Sequence, residues 1–289
     1  MTQIRGRFAP TPSGSLHFGS LVAAVGSYLQ SKSRDGQWFV RIDDLDTARV
    51  VKDSTSNILK ALETFGLGWD GKVLYQSNRI ESYHEAIDQL SKQGLTYPCS
   101  CSRKEIGMTS YAGTCRNGIT SNKSNCSLRI RTKNQLTKFE DNVQGTIEQN
   151  LELELGDFII NRADNVIAYH LATVVDDYYQ KITEVVRGVD LIDSTPRQIY
   201  LQEQLGYTEI QYTHLPLVTD QQGEKLSKSL GDLISARSEV PSTEYVFNAL
   251  IFLGQNPPSL LKHERIETCI SWGINNWSLK KVPQKNTTF

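Results

Sequence analysis

Along the first 65 residues the apolar positions fall into two short extended runs, each followed by a stretch with helical spacing. Residues 4–8 and 37–42 (Gln-Trp-Phe-Val-Arg-Ile) read as strands, the second with the aromatic and β-branched content of a buried one. Residues 21–29 carry a helical apolar pattern, and residues 54–65 put Ile58, Leu59, Leu62 and Phe65 on one helix face. Strand, helix, strand, helix is the opening of a parallel α/β sheet. A third helix is expected over 80–92. From 97 to about 125 the chain turns to Ser, Gly, Asn, Thr and Cys, too polar to build a core without an added staple. Short strands are expected at 126–132, 145–155 and 158–161, and an apolar pattern resumes at 167–175 and 182–186. Thr195-Pro196, a capping residue followed by proline, opens a helix over 195–205. Helices at 243–253 and 266–270 complete the pattern. Two α/β halves (1–96 and 166–232) thus flank an insertion (97–165), and a short helical region (233–289) follows.

The formal net charge of −1 gives no global positive field, so contact with nucleic acid has to come from local clusters. Candidates are Arg129/Arg131/Lys133, Lys225/Lys228 and Lys280/Lys281/Lys285, with solvated surface as the plain alternative for each. No run of ~18 apolar residues is present, which argues against a membrane span. The N-terminus shows no signal-peptide pattern, and a cytoplasmic protein is expected. Five cysteines, three of them at Cys99, Cys101 and Cys115, fit a reducing compartment and a metal site better than a disulfide framework. Three thiols in so polar a segment have the ligand density of a structural zinc site. Spacing leaves the fourth ligand open, with Cys126 a chemically natural choice.

Two motifs carry candidate chemistry. The first strand ends in Arg7-Phe8-Ala9-Pro10-Thr11-Pro12-Ser13-Gly14, and Leu16-His17-Phe18-Gly19-Ser20 starts the helix. Glycine at a helix N-terminus lets a phosphate approach backbone N–H groups, His17 can donate to developing phosphate charge, and Arg7 can pair with a carboxylate. Some 200 residues later, Glu224-Lys225-Leu226-Ser227-Lys228-Ser229 places two lysines where they can neutralise a leaving pyrophosphate. Together these segments resemble the paired HIGH and KMSKS signatures of class I aminoacyl-tRNA synthetases. Arg41-Ile42-Asp43-Asp44-Leu45-Asp46-Thr47-Ala48-Arg49 and Val186-Arg187-Gly188-Val189-Asp190-Leu191 narrow the resemblance to the glutamyl and glutaminyl enzymes.

The resemblance implies an α/β fold: a Rossmann-like parallel-sheet catalytic domain split by an inserted zinc-containing α+β subdomain. It also implies that Arg7, Phe8, Ala9, Pro10 and Thr11 line a glutamate pocket, that Asp43 receives the ammonium, and that Tyr169 and Arg187 complete recognition. His17, Gly19, Ser20 and Lys228 are implied to bind ATP with Mg²⁺, and His17, Lys225 and Lys228 to be catalytic. Two positions depart from the family pattern. Ser20 replaces the second histidine, and Asp43 stands where the family has glutamate.

About 60 residues follow Lys228, whereas an anticodon-reading domain needs on the order of 100 or more. The chain therefore resembles the shortened glutamyl-queuosine tRNA(Asp) synthetases of bacteria. That family implies activation of L-glutamate by ATP, transfer to the queuosine base in the anticodon loop of tRNA(Asp), a monomer, and one zinc held by Cys99, Cys101, Tyr111 and Cys115. Gly113 permits the tight turn that Tyr111 needs, whereas Cys126 opens an expected strand. Other readings are a truncated enzyme charging the 3′ end of tRNA(Glu), a non-catalytic RNA-binding paralogue, and a nucleotidyltransferase acting on a small molecule.

Overall fold

The computed structural model describes residues 3–106, 110–119, 125–219, 242–284 and 287–288. In chain order the first half supplies β1 (Arg5–Phe8), α1 (Phe18–Lys32), β2 (Gln37–Ile42), α2 (Ser54–Thr64), β3 (Leu74–Tyr75) and α3 (Ile80–Lys92). Then come β4 (Thr96–Cys99), α4 (Arg103–Ile106), β5 (Ser127–Ile130), β6 (Leu136–Asp141), β7 (Gly145–Asn150), α5 (Leu151–Glu154) and β8 (Phe158–Asn161). The chain continues through α6 (Tyr169–Tyr179), β9 (Glu184–Gly188), α7 (Thr195–Leu205), β10 (Gln211–Leu215) and β11 (Val218–Thr219), and then α8 (Ser242–Phe252), α9 (Ile266–Asn276) and β12 (Thr287–Thr288).

β1 pairs in parallel with β2, and β2 with β3; β9 pairs in parallel with β10. The seam between the two halves is local. Thr183 N–H donates to the Arg5 carbonyl at 2.9 Å, and Arg5 N–H donates to Thr183 Oγ1 at 2.9 Å. Two sheets, β1-β2-β3 and β7-β6-β10-β9, thus meet through chain segments about 180 residues apart, and the carboxyl ends of β1 and β9 fall beside one another. In open parallel sheets that edge is where ligands bind.

One core gathers Leu21, Val25 and Leu29 of α1, Trp38 and Val40 of β2, and Val246, Leu250 and Leu253 from the region of α8. A second joins α3 (Tyr83, Leu90), α6 (Leu171, Val174) and α7 (Leu201) to Ile130 and Ile160 of the antiparallel sheet β4-β5-β8. The strand expected at 145–155 is only half a strand. Asn150 caps the first turn of α5 by accepting from Leu153 N–H, and the chain turns inward to bury Leu151. The β6–β7 hairpin lies in the stretch read as an insertion, yet it extends the β9–β10 sheet through a parallel pairing of Asp141 with Tyr212.

Candidate active site

The β1–α1 turn and the ends of β9 and β10 enclose a cavity of about 330 Å³. Arg7, Ala9, Thr11, His17, Tyr169 and Arg187 all line it, as do Phe8, Pro10, Gly19 and Ser20. Residues chosen from three separated segments therefore meet in one place. Asp43 is the exception. It lines an adjoining cavity of about 240 Å³ with Asp46 and Arg162, and Thr11 and Tyr169 line both spaces. Lys225 and Lys228 lie outside the described residues.

His17 occupies the N-cap of α1. Its Nδ1 accepts from Ser20 N–H at 3.2 Å, and its Nε2 lies 3.0 Å from Ser20 Oγ. A Cβ on Gly19 would come within 3.2 Å of the His17 ring, so glycine leaves the imidazole room to fold back over the helix start. Ser20, one of the two departures from the family pattern, is thus a hydrogen-bond partner of His17.

Arg7 projects from the end of β1 onto α6. Its Nε and Nη2 meet the two carboxylate oxygens of Asp177 at 3.2 and 3.3 Å. Asp177 also accepts from Arg41 Nη1 at 2.6 Å, and Arg41 Nε donates to Asp43 at 2.8 Å. The neighbouring Asp176 accepts from Arg79, Gln76 and Tyr83. Arg7, Arg41, Asp43, Asp176 and Asp177 are all buried. Burial alone would push the Asp177 carboxyl up, but the charges of Arg7 and Arg41 outweigh it and hold the group below the usual carboxylate range. For Asp43 the balance is reversed. Burial dominates, Arg41 offsets only part of it, and the carboxyl is pushed up to about 6.

Arg187 is the other cavity arginine. It sits inside β9, one residue short of the strand end. Nε donates to His214 Nε2 at 3.1 Å and Nη2 to Thr195 Oγ1 at 2.7 Å, while buried Nη1 has no partner among the described residues. The motifs contain none of Asp141, Asp176, Asp177, Thr195 and His214. A signal was present in Val174-Val175-Asp176-Asp177, two adjacent acids in an otherwise apolar helix, which is costly unless paired.

In the polar segment, Cys99, Cys101 and Cys115 bring their sulfurs within 4.8 Å of one another. Tyr111 Oη is 3.3 Å from Cys99 Sγ and 3.8 Å from Cys101 Sγ, and Cys101 and Cys115 sulfurs are 3.6 Å apart. Tetrahedral zinc with bonds of ~2.3 Å needs sulfurs about 3.8 Å apart, so the donor set fits a metal. Gly113 has φ +77°, the left-handed turn that returns the chain from Tyr111 to Cys115. Cys126 is not in this group. Arg129, a candidate for RNA contact with solvated surface as the alternative reading, is neither. It is buried over the Tyr111 ring at 3.9 Å and donates to the Asp157 carbonyl at 2.6 Å, while Arg131 lies over Tyr97. Both arginines brace the thiol segment.

The family model for tRNA synthetases class I (E and Q), catalytic domain, matches residues 3–273. The chain belongs to this family. It is a ligase of the class I synthetase type with the α/β parallel-sheet fold of that class. It is 47% identical to a glutamyl-Q tRNA(Asp) synthetase of Dechloromonas aromatica (strain RCB), over 98% of this chain and 96% of that one. A protein of the same name from Pseudomonas aeruginosa (strain PAO1) is 44% identical, covering 96% and 95%. Among solved structures, glutamate-tRNA synthetase from Elizabethkingia anophelis superimposes with a TM-score of 0.85 at 24% identity, covering 100% of this chain and 68% of that one, a likeness of fold alone. No helix among the described residues is long and apolar enough to cross a membrane.

Proposed function

We propose that the protein activates L-glutamate with ATP and transfers the glutamyl group to the queuosine base in the anticodon loop of tRNA(Asp). One observation carries the activation step: a single cavity is lined by Arg7, Tyr169 and Arg187 and, at the start of α1, by His17, Gly19 and Ser20. The first group suits a dicarboxylic amino acid and the second a nucleotide phosphate. In this reading Arg187 and Tyr169 meet a glutamate carboxylate, with Phe8, Ala9, Pro10 and Thr11 as walls. Asp43 receives the ammonium across the border of the two cavities.

The glutamate α-carboxylate attacks the α-phosphorus of ATP, forming the carboxylate–phosphate mixed anhydride as pyrophosphate leaves. His17 and Lys228 hold the phosphates in line, Lys225 adds charge, and Mg²⁺ accompanying ATP supplies further neutralisation. A ribose-like hydroxyl of the acceptor then attacks the activated carbonyl, an ester bond forms, and AMP leaves. The choice of acceptor rests on the names of the relatives. In the insertion, Cys99, Cys101, Tyr111 and Cys115 would hold one structural zinc, which would cross-link that segment. We further propose a monomer acting in the cytoplasm.

Transfer of labelled glutamate to three acceptors tests this reading: tRNA(Asp) with queuosine, tRNA(Asp) without it, and tRNA(Glu). The expected product is alkali-labile label on the first alone. Label following tRNA(Glu) would replace it with 3′-end charging, and the absence of label from all three would remove it.

A further inference from the structure

Arg187 is the cavity arginine that forms no ion pair among the described residues. Arg7 is held by Asp177, but Arg187 is fixed by two neutral groups, His214 and Thr195. A guanidinium has only N–H donors, so for His214 to receive the Arg187 Nε–H its Nε2 must be the unprotonated nitrogen. The ring proton is then on Nδ1, which faces Asp141 Oδ2 at 2.6 Å. Asp141 is itself locked. Its Oδ1 accepts from Val143 N–H (3.0 Å), Gln144 N–H (2.8 Å) and His214 N–H (3.2 Å). The Gln144 side chain closes the arrangement by donating to the His214 carbonyl at 2.9 Å. Asp141, Thr195 and His214 are fully or almost fully buried, which keeps water from substituting for any member. Burial, with the nearby Arg187 charge, pushes His214 below its ordinary value even against the pull of Asp141, in keeping with a neutral ring.

We infer that Asp141 and His214 are positioning residues for substrate recognition: Asp141 fixes the His214 tautomer, and His214 presents its bare Nε2 to Arg187. The guanidinium is thereby held by Nε and Nη2, which leaves Nη1, buried and without a partner among the described residues, as the donor for a carboxylate bound against Arg187. A neutral clamp orients Arg187 without cancelling its charge, which an acid in the same place would do. This inference rests on the glutamate reading given above. It also assigns a task to the β6–β7 hairpin, whose first strand ends in Asp141 at the turn and so reaches the amino-acid pocket through the β10 strand.

The substitution Asp141→Asn is directional. Three backbone amides at the Oδ1 position retain the amide oxygen there, so the new NH₂ faces His214 Nδ1 and drives the ring proton to Nε2. Two donors then oppose each other at Arg187. The expected result is a rise of about tenfold or more in the KM for glutamate in pyrophosphate exchange, with the KM for ATP moving less than about threefold. His214→Asn, which lacks an acceptor at the Nε2 position, should behave alike, and His214→Gln, whose amide oxygen reaches it, should recover to within about threefold of the unsubstituted protein. Nitrogen-15 spectra of the unsubstituted protein, which do not depend on catalysis, should show His214 Nδ1 protonated and Nε2 bare. A proton on Nε2, or glutamate binding by calorimetry that D141N and H214N leave unchanged, would overturn the inference alone. Failure of the unsubstituted protein to bind glutamate would overturn the reading beneath it as well.

Discussion

The arginine network behind the cavity and the thiol cluster of the insertion both bury polar groups, but they are completed differently. In the network three guanidiniums (Arg7, Arg41, Arg79) meet three carboxylates (Asp43, Asp176, Asp177), so charge is balanced by the chain itself. The elements that carry it pack on two large cores. Among the described residues the buried hydrophobic centre of the thiol cluster is Tyr97, Cys99, Tyr111 and Cys115. Its donors suit an ion, which the chain would have to take from solution. A pre-built pocket can lose a ligand and keep its shape, whereas a segment folded around a metal should not keep its shape without it.

The largest effect expected from that contrast is metal removal. Purified protein should contain about one zinc per chain, and stripping it, or Cys115→Ser, should forfeit on the order of 10 kcal/mol of metal-linked folding free energy from the segment around residues 97–119. Hydrogen exchange would check this; metal-free protein with undiminished protection there would erase the contrast. Next is Asp177→Ala, which leaves Arg7 and Arg41 buried without their shared partner. A loss of about 3–5 kcal/mol in denaturant unfolding is expected, and less than about 1 kcal/mol would mean the network is not what holds these arginines.

How much of this was legible in the sequence follows from the same contrast. The strand at 37–42 and the helices at 80–92 and 195–205 match β2, α3 and α7 end to end, because periodic burial and a Thr-Pro start are local signals. The β6 and β10 strands gave no such signal: β6 reads Leu-Thr-Lys-Phe-Glu-Asp, and its last residue matters through partners some 70 positions away. Arg7 to Ser20 and Arg187 are visible because they stand in motifs that begin at strand ends, whereas Tyr169, at the start of α6, comes only with the resemblance. Asp177, Asp141 and His214 act by holding those residues, and only the folded chain brings them together. Arg129 and Arg131 misled as a basic pair, since their aromatic partners Tyr111 and Tyr97 lie elsewhere in the chain.

Smaller effects sharpen the pocket side. Arg187→Lys keeps the charge but loses the fork that joins His214, Thr195 and the cavity; a fall of about thirtyfold in kcat/KM for glutamate, about 2 kcal/mol, is expected from steady-state exchange kinetics. Asp43 should report through pH. With its carboxyl pushed up to about 6, it is neutral below that pH and cannot pair with an ammonium, so kcat/KM for glutamate should fall as pH drops through about 6. Asp43→Asn should flatten that limb at a low plateau; a limb that survives the substitution belongs to another group. The smallest change is Ser20→Ala. Removing the hydroxyl from His17 costs one neutral hydrogen bond, about 1 kcal/mol, and should raise the KM for ATP about fivefold while leaving that for glutamate in place.

The central claim is that the charge-paired pocket selects glutamate for activation by ATP. Amino-acid-dependent pyrophosphate exchange, run with and without tRNA(Asp), tests it most directly. The account predicts exchange with L-glutamate in at least one of these conditions and none of comparable rate with glutamine or aspartate. No exchange with glutamate in either condition, or equal exchange with glutamine, would contradict it.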